Sequence, residues 1–348
     1  MIEFDNKSKR RKYNKMNATV NPDEVNDPYI YLDWNVFKYM KNNRSKYKEL
    51  DEEFSKLIDK IKKRYRIPIS PAHIKDRMSR FSETYIEDVR EDFAFVDSVC
   101  EGYFIVNIPN ENDQLGLVKA DIKNCYVDYM NEKENLENDE SFASFISDCV
   151  INPNSVSPSH PMYYYLKDNQ GNVKDFDTFL EKMYKDIFNE TGTYANLRDY
   201  IRQFEIDKTK FHVLNLTEIC ELDRLLYHIT PFLLSFKYDS VEQLCNNWKN
   251  IANRFFSYNT SNPAMEMLLI HGYTLLDMHP LIKKEKLKKK KNTLDNIIRD
   301  GSHCYYAAKA NYFVSEDEAI RDKMSFLYSA YGIKTKILSE QELLYRFS

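Results

Sequence analysis

The sequence predicts an α/β fold with a mainly parallel central sheet, interrupted by a large α-helical insertion. Three observations carry that prediction. Residues 29–32 (Tyr-Ile-Tyr-Leu) are a short aromatic and β-branched run without polar alternation, which reads as a strand buried on both faces, as in parallel sheets. Strand and helix patterns alternate over 28–90 and again over 292–348. Residues 91–291 lack that alternation and read mostly as amphipathic or buried helices, so one domain is built from both ends of the chain around an inserted one.

In chain order, residues 1–27 are polar, carry Lys9-Arg10-Arg11-Lys12 and have no apolar periodicity, which predicts a basic, flexible N-terminal arm. The strand at 29–32 ends on Asp33. Val36, Phe37 and Met40 begin a helix, Phe54, Leu57, Ile58 and Ile61 repeat at helical spacing, and residues 66–70 read as a second short strand. Ser70-Pro71 has the form of a helix start, Ser as N-cap and Pro in the first turn. Ile74, Met78, Phe81, Tyr85 and Val89 then continue as one apolar stripe, with Asp76 about 200° around from Ile74 at ~100° per residue. Helices are expected over 142–150, 176–188, 219–234, 241–256 and 264–276, and loops over 107–113, 152–161 and 257–263. The alternation resumes with a helix carrying Asp300, His303 and Ala307 on one face, a strand within 310–317, a helix over 318–331 and a last strand over 334–338.

The 348 residues carry a formal net charge of −4, unevenly spread. Lys and Arg number 7 against 20 Asp and Glu over residues 91–190, whereas Lys283 to Lys291 holds seven lysines in nine residues. The basic regions suit a polyanion, with Lys288, Lys289, Lys290 and Lys291 as candidate phosphate contacts; a solvated charged face is the structural alternative. The acidic insertion suits a protein partner or a homo-oligomer contact. Six cysteines lie far apart with no CxxC pair, and five histidines of the central part (His160, His212, His228, His271 and His279) show no metal-ligand spacing, so all are expected to be structural. No secretory leader or membrane-length apolar run is visible, which predicts a cytoplasmic protein without a membrane partner.

A carboxylate at the exit of a buried strand is costly without partners, and in open parallel sheets ligands bind outside the carboxyl ends of strands. Asp33 therefore either belongs to a site or caps the following helix. Asp33 and Asp317 stand at strand exits, Asp76 and Asp300 near helix starts. Carboxylates that converge repel one another and call for a cation, and oxygen-only ligation selects Mg²⁺ or Mn²⁺. Such ions activate water and stabilise charge on a phosphoryl group, which points to phosphodiester hydrolysis.

Leu32-Asp33-Trp34-Asn35 after a strand, Ile69-Ser70 with Asp76 six residues on, Asp300-Gly-Ser-His303 with Ala307-Ala308, and Phe313-Val-Ser315-Glu-Asp317 together resemble the PIN-domain nucleases. The similarity covers about residues 28–90 and 292–340. It implies a three-layer PIN-like fold in which Asp33, Asp76, Asp300 and Asp317 form an acidic quartet for Mg²⁺ or Mn²⁺, supported by Asn35 and Ser315. It further implies an endoribonuclease leaving 5′-phosphate and 3′-hydroxyl ends. The family commonly has Glu at the second acidic position, where this chain has Asp76; Glu83 and Glu87 are the substitutes nearby. His303 is either a base or phosphate donor or a histidine packed on its helix. The same fold cuts DNA in structure-specific nucleases, and a non-catalytic interaction protein on a degenerate fold is the other alternative. A toxin or defence effector is one setting for the enzyme.

Overall fold

The computed structural model describes residues 26–78, 85–108, 114–127, 186, 190–204, 206–207, 212–213, 230–256, 263–283 and 293–348. In chain order the elements are β1 (Ile30–Leu32), α1 (Trp34–Lys41), α2 (Lys48–Ile61), α3 (Pro71–Met78), α4 (Ile86–Cys100), β2 (Tyr103–Asn107), β3 (Leu115–Lys119), α5 (Thr191–Ile201), β4 (Ile206–Asp207), β5 (His212–Val213) and a helical turn over 230–237. They continue with α6 (Val241–Phe256), α7 (Met265–Met278), α8 (Leu294–Tyr306), β6 (Tyr312–Val314), α9 (Glu318–Tyr331), β7 (Lys336–Leu338) and α10 (Glu340–Phe347). The chain is thus a mixed α/β protein with a small parallel sheet.

Two compact units divide it: residues 1–137, 305–321 and 333–348 form the first, and 138–304 with 322–332 the second. Among the described residues, α4, β2 and β3 fall in the first unit. Helix α8 crosses the second boundary.

In the first unit, β1 pairs in parallel with β6 and β6 with β7, in the register Ile30↔Tyr312↔Lys336. Ile30, Leu32, Tyr312 and Val314 point into one core with Phe37, Phe54, Ile58 and Phe93. Tyr31 and Phe313 alternate to the other face, fully buried, with ring centroids 6.0 Å apart. Burial of both faces is what the unbroken apolar run at 29–32 demanded.

The strand expected over 66–70 is present only as two parallel bridges, Tyr29↔Arg66 on one side and Ile69↔Phe104 on the other. Pro68 between them has no N–H to donate, which interrupts the ladder. The lateral order is nevertheless β2, residues 66–69, β1, β6, β7, with β3 antiparallel to β2. From β1 the chain proceeds to one side and returns at its end to the other. The strand order therefore reverses between β1 and β6, and crevices of this kind receive ligands in open α/β sheets.

Other expectations change. The stripe 74–89 is two helices, α3 and α4, and Tyr85 is 53 % exposed instead of lying on a buried stripe. The Ser70 hydroxyl makes no helix cap; it binds the Tyr31 hydroxyl at 2.6 Å and His73 Nδ1 at 3.1 Å. The β2–β3 hairpin lies within the stretch 91–291 that was expected to be a helical insertion, its strands built from Tyr-Phe-Ile-Val and Leu-Gly-Leu-Val runs. Helix α10 was not expected from the sequence, although its Ser339–Glu342 capping box is complete. The basic arm to residue 25, the helix expected over 142–150, that over 176–188 except residue 186, residues 219–229 of that over 219–234, the loop at 152–161, His160 and His228, and Lys288 to Lys291 lie outside the described residues.

The second unit packs α6 and α7 around Trp248, whose ring meets Phe326 at 5.4 Å nearly edge-on. Helix α7 is apolar almost all round, yet it carries fully buried Asp277, which binds Lys323 Nζ at 2.9 Å, Arg198 Nη1 at 3.1 Å and the Tyr194 hydroxyl at 2.9 Å. Four described cysteines are free thiols, three of them buried. Among the described residues no helix is long and apolar enough to cross a membrane.

Candidate functional site

Asp33 occupies the N-cap position of α1, and its backbone does the capping: its carbonyl accepts from Val36 N at 3.0 Å and Phe37 N at 3.4 Å. Its side chain makes no cap hydrogen bond. Of the two roles open to Asp33 from sequence, side-chain capping is therefore absent. The carboxylate, 3 % exposed, accepts instead from the Ser315 hydroxyl at 2.8 Å. Ser315 follows β6, and its own N–H donates to Leu338 O at 3.1 Å, so the ends of β1, β6 and β7 are tied together here.

Asp76 lies in α3, half-buried, and brings a carboxylate oxygen within 4.8 Å of one from Asp33. Among the described residues, Asp76 is a carboxylate that comes this close to Asp33. Glu87 is exposed in the first turn of α4, paired with Arg90, and Glu83 lies outside the described residues. The two aspartates both act on the buried Tyr31 hydroxyl. Burial pushes that phenol well above its ordinary range against the Ser70 hydrogen bond, and the Asp76 and Asp33 charges add to the rise.

Asp317 reaches the same strand exit, but its Oδ1 accepts from Ala319 N at 2.8 Å and Ile320 N at 3.3 Å and so caps α9. Its backbone N–H donates to the Ser315 hydroxyl at 3.1 Å. Asn35 is half-buried in the first turn of α1. Asp300, half-buried, and His303, fully buried, lie on α8 in the part that belongs to the second unit.

The chain finds no match among protein-family models, curated proteins or solved structures. What the site can do therefore rests on its own geometry.

The sequence reading missed His73. Fully buried, it donates from Nε2 to Leu32 O at 2.7 Å, and its Nδ1 accepts from Ser70 N at 3.0 Å. It fixes the last carbonyl before Asp33, with a face against the Tyr31 ring at 4.7 Å. A histidine three residues after a Ser-Pro helix start was the available signal.

Two carboxylates this close disfavour joint ionisation in a low-dielectric setting, and a divalent cation offsets that repulsion. Ligand oxygens at ~2.1 Å from Mg²⁺ lie up to about 4.2 Å apart, so a separation within 4.8 Å suits one hard ion with little rearrangement. The donors of this pair are oxygen, and Ser315 donates to the more buried carboxylate. Such a pair could hold a hard cation such as Mg²⁺ or Mn²⁺.

Proposed function

We propose that this chain is a PIN-like, metal-dependent endoribonuclease whose site lies at the carboxyl ends of β1 and β6. The observation that supports it most is the approach of Asp33 and Asp76 beside Ser315 at the point where the strand order reverses. In this reading Asp33 and Asp76 would hold Mg²⁺ or Mn²⁺; the family resemblance implies Asp300 and Asp317 as the other two acidic residues. The cation supplies charge neutralisation for the phosphoryl group and lowers the pKa of water. Ser315 orients Asp33 by donating a hydrogen bond to its carboxylate. His73 and Tyr31 hold the end of β1 from below, Asn35 offers a polar group at the mouth, and Lys288 to Lys291 hold phosphates of the strand. His303 is either a proton carrier or a packed helix residue. The proposal includes a cytoplasmic setting, as a toxin or defence effector, and a protein partner or second copy bound through the central residues.

The test is cleavage of a mixed RNA pool and a matched DNA pool with Mn²⁺, Mg²⁺ or EDTA, comparing wild type with Asp33→Asn and Asp300→Asn. Metal-dependent RNA cutting lost in both variants is the expected result. Preference for DNA would change the substrate to that of a structure-specific nuclease. Equal behaviour of all three proteins on both pools would leave the interaction-protein reading.

A further inference from the structure

A second feature of the first unit is an open groove of about 950 Å³ between β6, β7, α10 and the segment after α2. Its floor is three rings. Tyr65, Tyr312 and Phe347 meet pairwise at 5.9, 5.8 and 5.7 Å, each pair close to edge-on. Each pair is an edge-to-face contact, the favourable geometry for aromatic rings.

Two arginines stand on its rim, each set over a floor ring. Arg64 lies 5.3 Å from the Tyr65 centroid and Arg346 5.3 Å from that of Tyr312, and Arg346 Nε also donates to the Tyr312 hydroxyl at 2.9 Å. Both are exposed residues, and among the described residues neither forms an ion pair. The acid lining the groove, Glu342, is committed elsewhere: its carboxylate accepts from Ser339 N at 2.6 Å in the capping box of α10, and that hydrogen bond holds it below its ordinary range. Exposed Lys336 is in register with Tyr312 and alternates to the same face as Leu338, which lines the groove. Glu342 keeps its negative charge, and the three cations Arg64, Arg346 and Lys336 against it leave the rim net positive.

The wall is α10, where Tyr345 follows Gln341 by one turn. Tyr345 is 87 % exposed, well above any other large hydrophobic side chain among the described residues. An uncovered ring beside fixed guanidinium groups is the pairing that single-stranded nucleic acid uses, bases stacking on aromatic faces while cations follow the phosphates. A protein partner would be expected to meet a broad apolar face; here the apolar rings form the floor and cations form the rim.

We propose that this groove binds a single-stranded RNA segment, with a base stacked on Tyr345, phosphates on Arg64 and Arg346, and the Gln341 amide facing a base edge. The choice of RNA rests on the nuclease reading; the groove's geometry does not. Tyr312 opens the strand whose exit carries Ser315, about 10 Å further along at ~3.3 Å per residue. The groove therefore holds nucleotides flanking those at Asp33, as a substrate-gripping surface separate from the carboxylates.

The experiment is fluorescence anisotropy of a fluorescein-labelled, unstructured RNA of about 12 nucleotides, titrated with the full chain in EDTA. Wild type is compared with Tyr345→Ala, with the double variant Arg64→Ala/Arg346→Ala, and with Asp33→Asn. Circular dichroism checks the fold, which these exposed substitutions should leave intact. Tyr345→Ala is expected to weaken binding at least about fivefold. The double variant is expected to flatten the slope of log K against log salt by about 1.4, two phosphates at ~0.7 each. Wild-type affinity and salt slope in both groove variants, or no RNA binding by wild type, overturns the groove proposal. A poly-glutamate peptide that binds where RNA does not would give the groove to an acidic protein and overturn it too. Groove-dependent binding without metal-dependent cleavage leaves the groove standing and ends the nuclease reading; the converse result separates them the other way.

Discussion

Replacing Glu340 by Gln should stabilise the first unit at alkaline pH and change it little in acid. Glu340 is the first residue of α10 and is 1 % exposed. Its Oε2 meets the Arg44 guanidinium, which also binds Asp51 and lies 3.5 Å from Glu316 Oε2. One cation thus serves three carboxylates, and Glu340 Oε1 is buried without a hydrogen-bond partner. Burial first, and the Glu316 charge second, push the Glu340 carboxyl up to about 7, although Arg44 pulls the other way.

Because the folded value lies above the unfolded value of 4.5, the folded protein holds the extra proton between those limits. The stability tied to that proton is complete below pH ~4.5 and is lost as pH rises through ~7. A displacement of about 2.5 units at 1.36 kcal/mol each gives a penalty of about 3 kcal/mol above pH ~8. Gln is neutral throughout and keeps an oxygen for Arg44. It should therefore exceed wild type by about 2–3 kcal/mol near pH 8.5 and lie within about 1 kcal/mol of it near pH 5, where native Glu340 is neutral too. The chain has two tryptophans, Trp34 in the first unit and Trp248 in the second. Urea titrations followed by Trp34 fluorescence in a Trp248→Phe background read the first unit alone. An equal difference at both pH values, or a loss at pH 8.5, would show that Arg44 keeps Glu340 ionised and would refute the reasoning.

Two further substitutions probe the second unit through Trp248 fluorescence. Asp277→Asn leaves Lys323 and Arg198, both buried, around a neutral amide, and about 3–5 kcal/mol of unfolding free energy should be lost; a loss under ~1 kcal/mol would mean that water reaches the cluster. Gly301→Ala places a Cβ 2.6 Å from Ile270 O, a contact with backbone that cannot turn aside, so α8 must move away from α7. A cost of about 1–3 kcal/mol is expected, and a wild-type urea midpoint would show that the two helices already slide freely.

Much of the local structure was legible in the sequence. The run 29–32 announced a strand buried on both faces, because nothing polar alternates within it, and helices α6 and α9 match their expected spans because a sustained apolar stripe admits one period. The segment 66–70 was harder. Its apolar residues read correctly as extended chain, but Pro68 reduced it to isolated bridges. The β2–β3 hairpin was legible as two short apolar runs on either side of the loop expected at 107–113 and was lost among helical neighbours. At the site, Asp33 and Ser315 could be placed at strand exits by counting residues, whereas His73 was marked only by its place three residues after Ser70 at a Ser-Pro helix start.

The sequence by itself determined which residues could be extended or helical and where acidic groups would meet the ends of strands, since propensity, period and burial are local properties. Only the tertiary structure decided that Asp33 gives its carboxylate to Ser315 while its backbone caps α1, and that Asp317 spends an oxygen on α9. It alone brought Asp76 to Asp33 across 43 residues of chain, and gathered Arg64, Tyr312 and Tyr345 around one groove. These contacts depend on strand order and on which polar partner wins each hydrogen bond, and neither is encoded within a window of neighbouring residues.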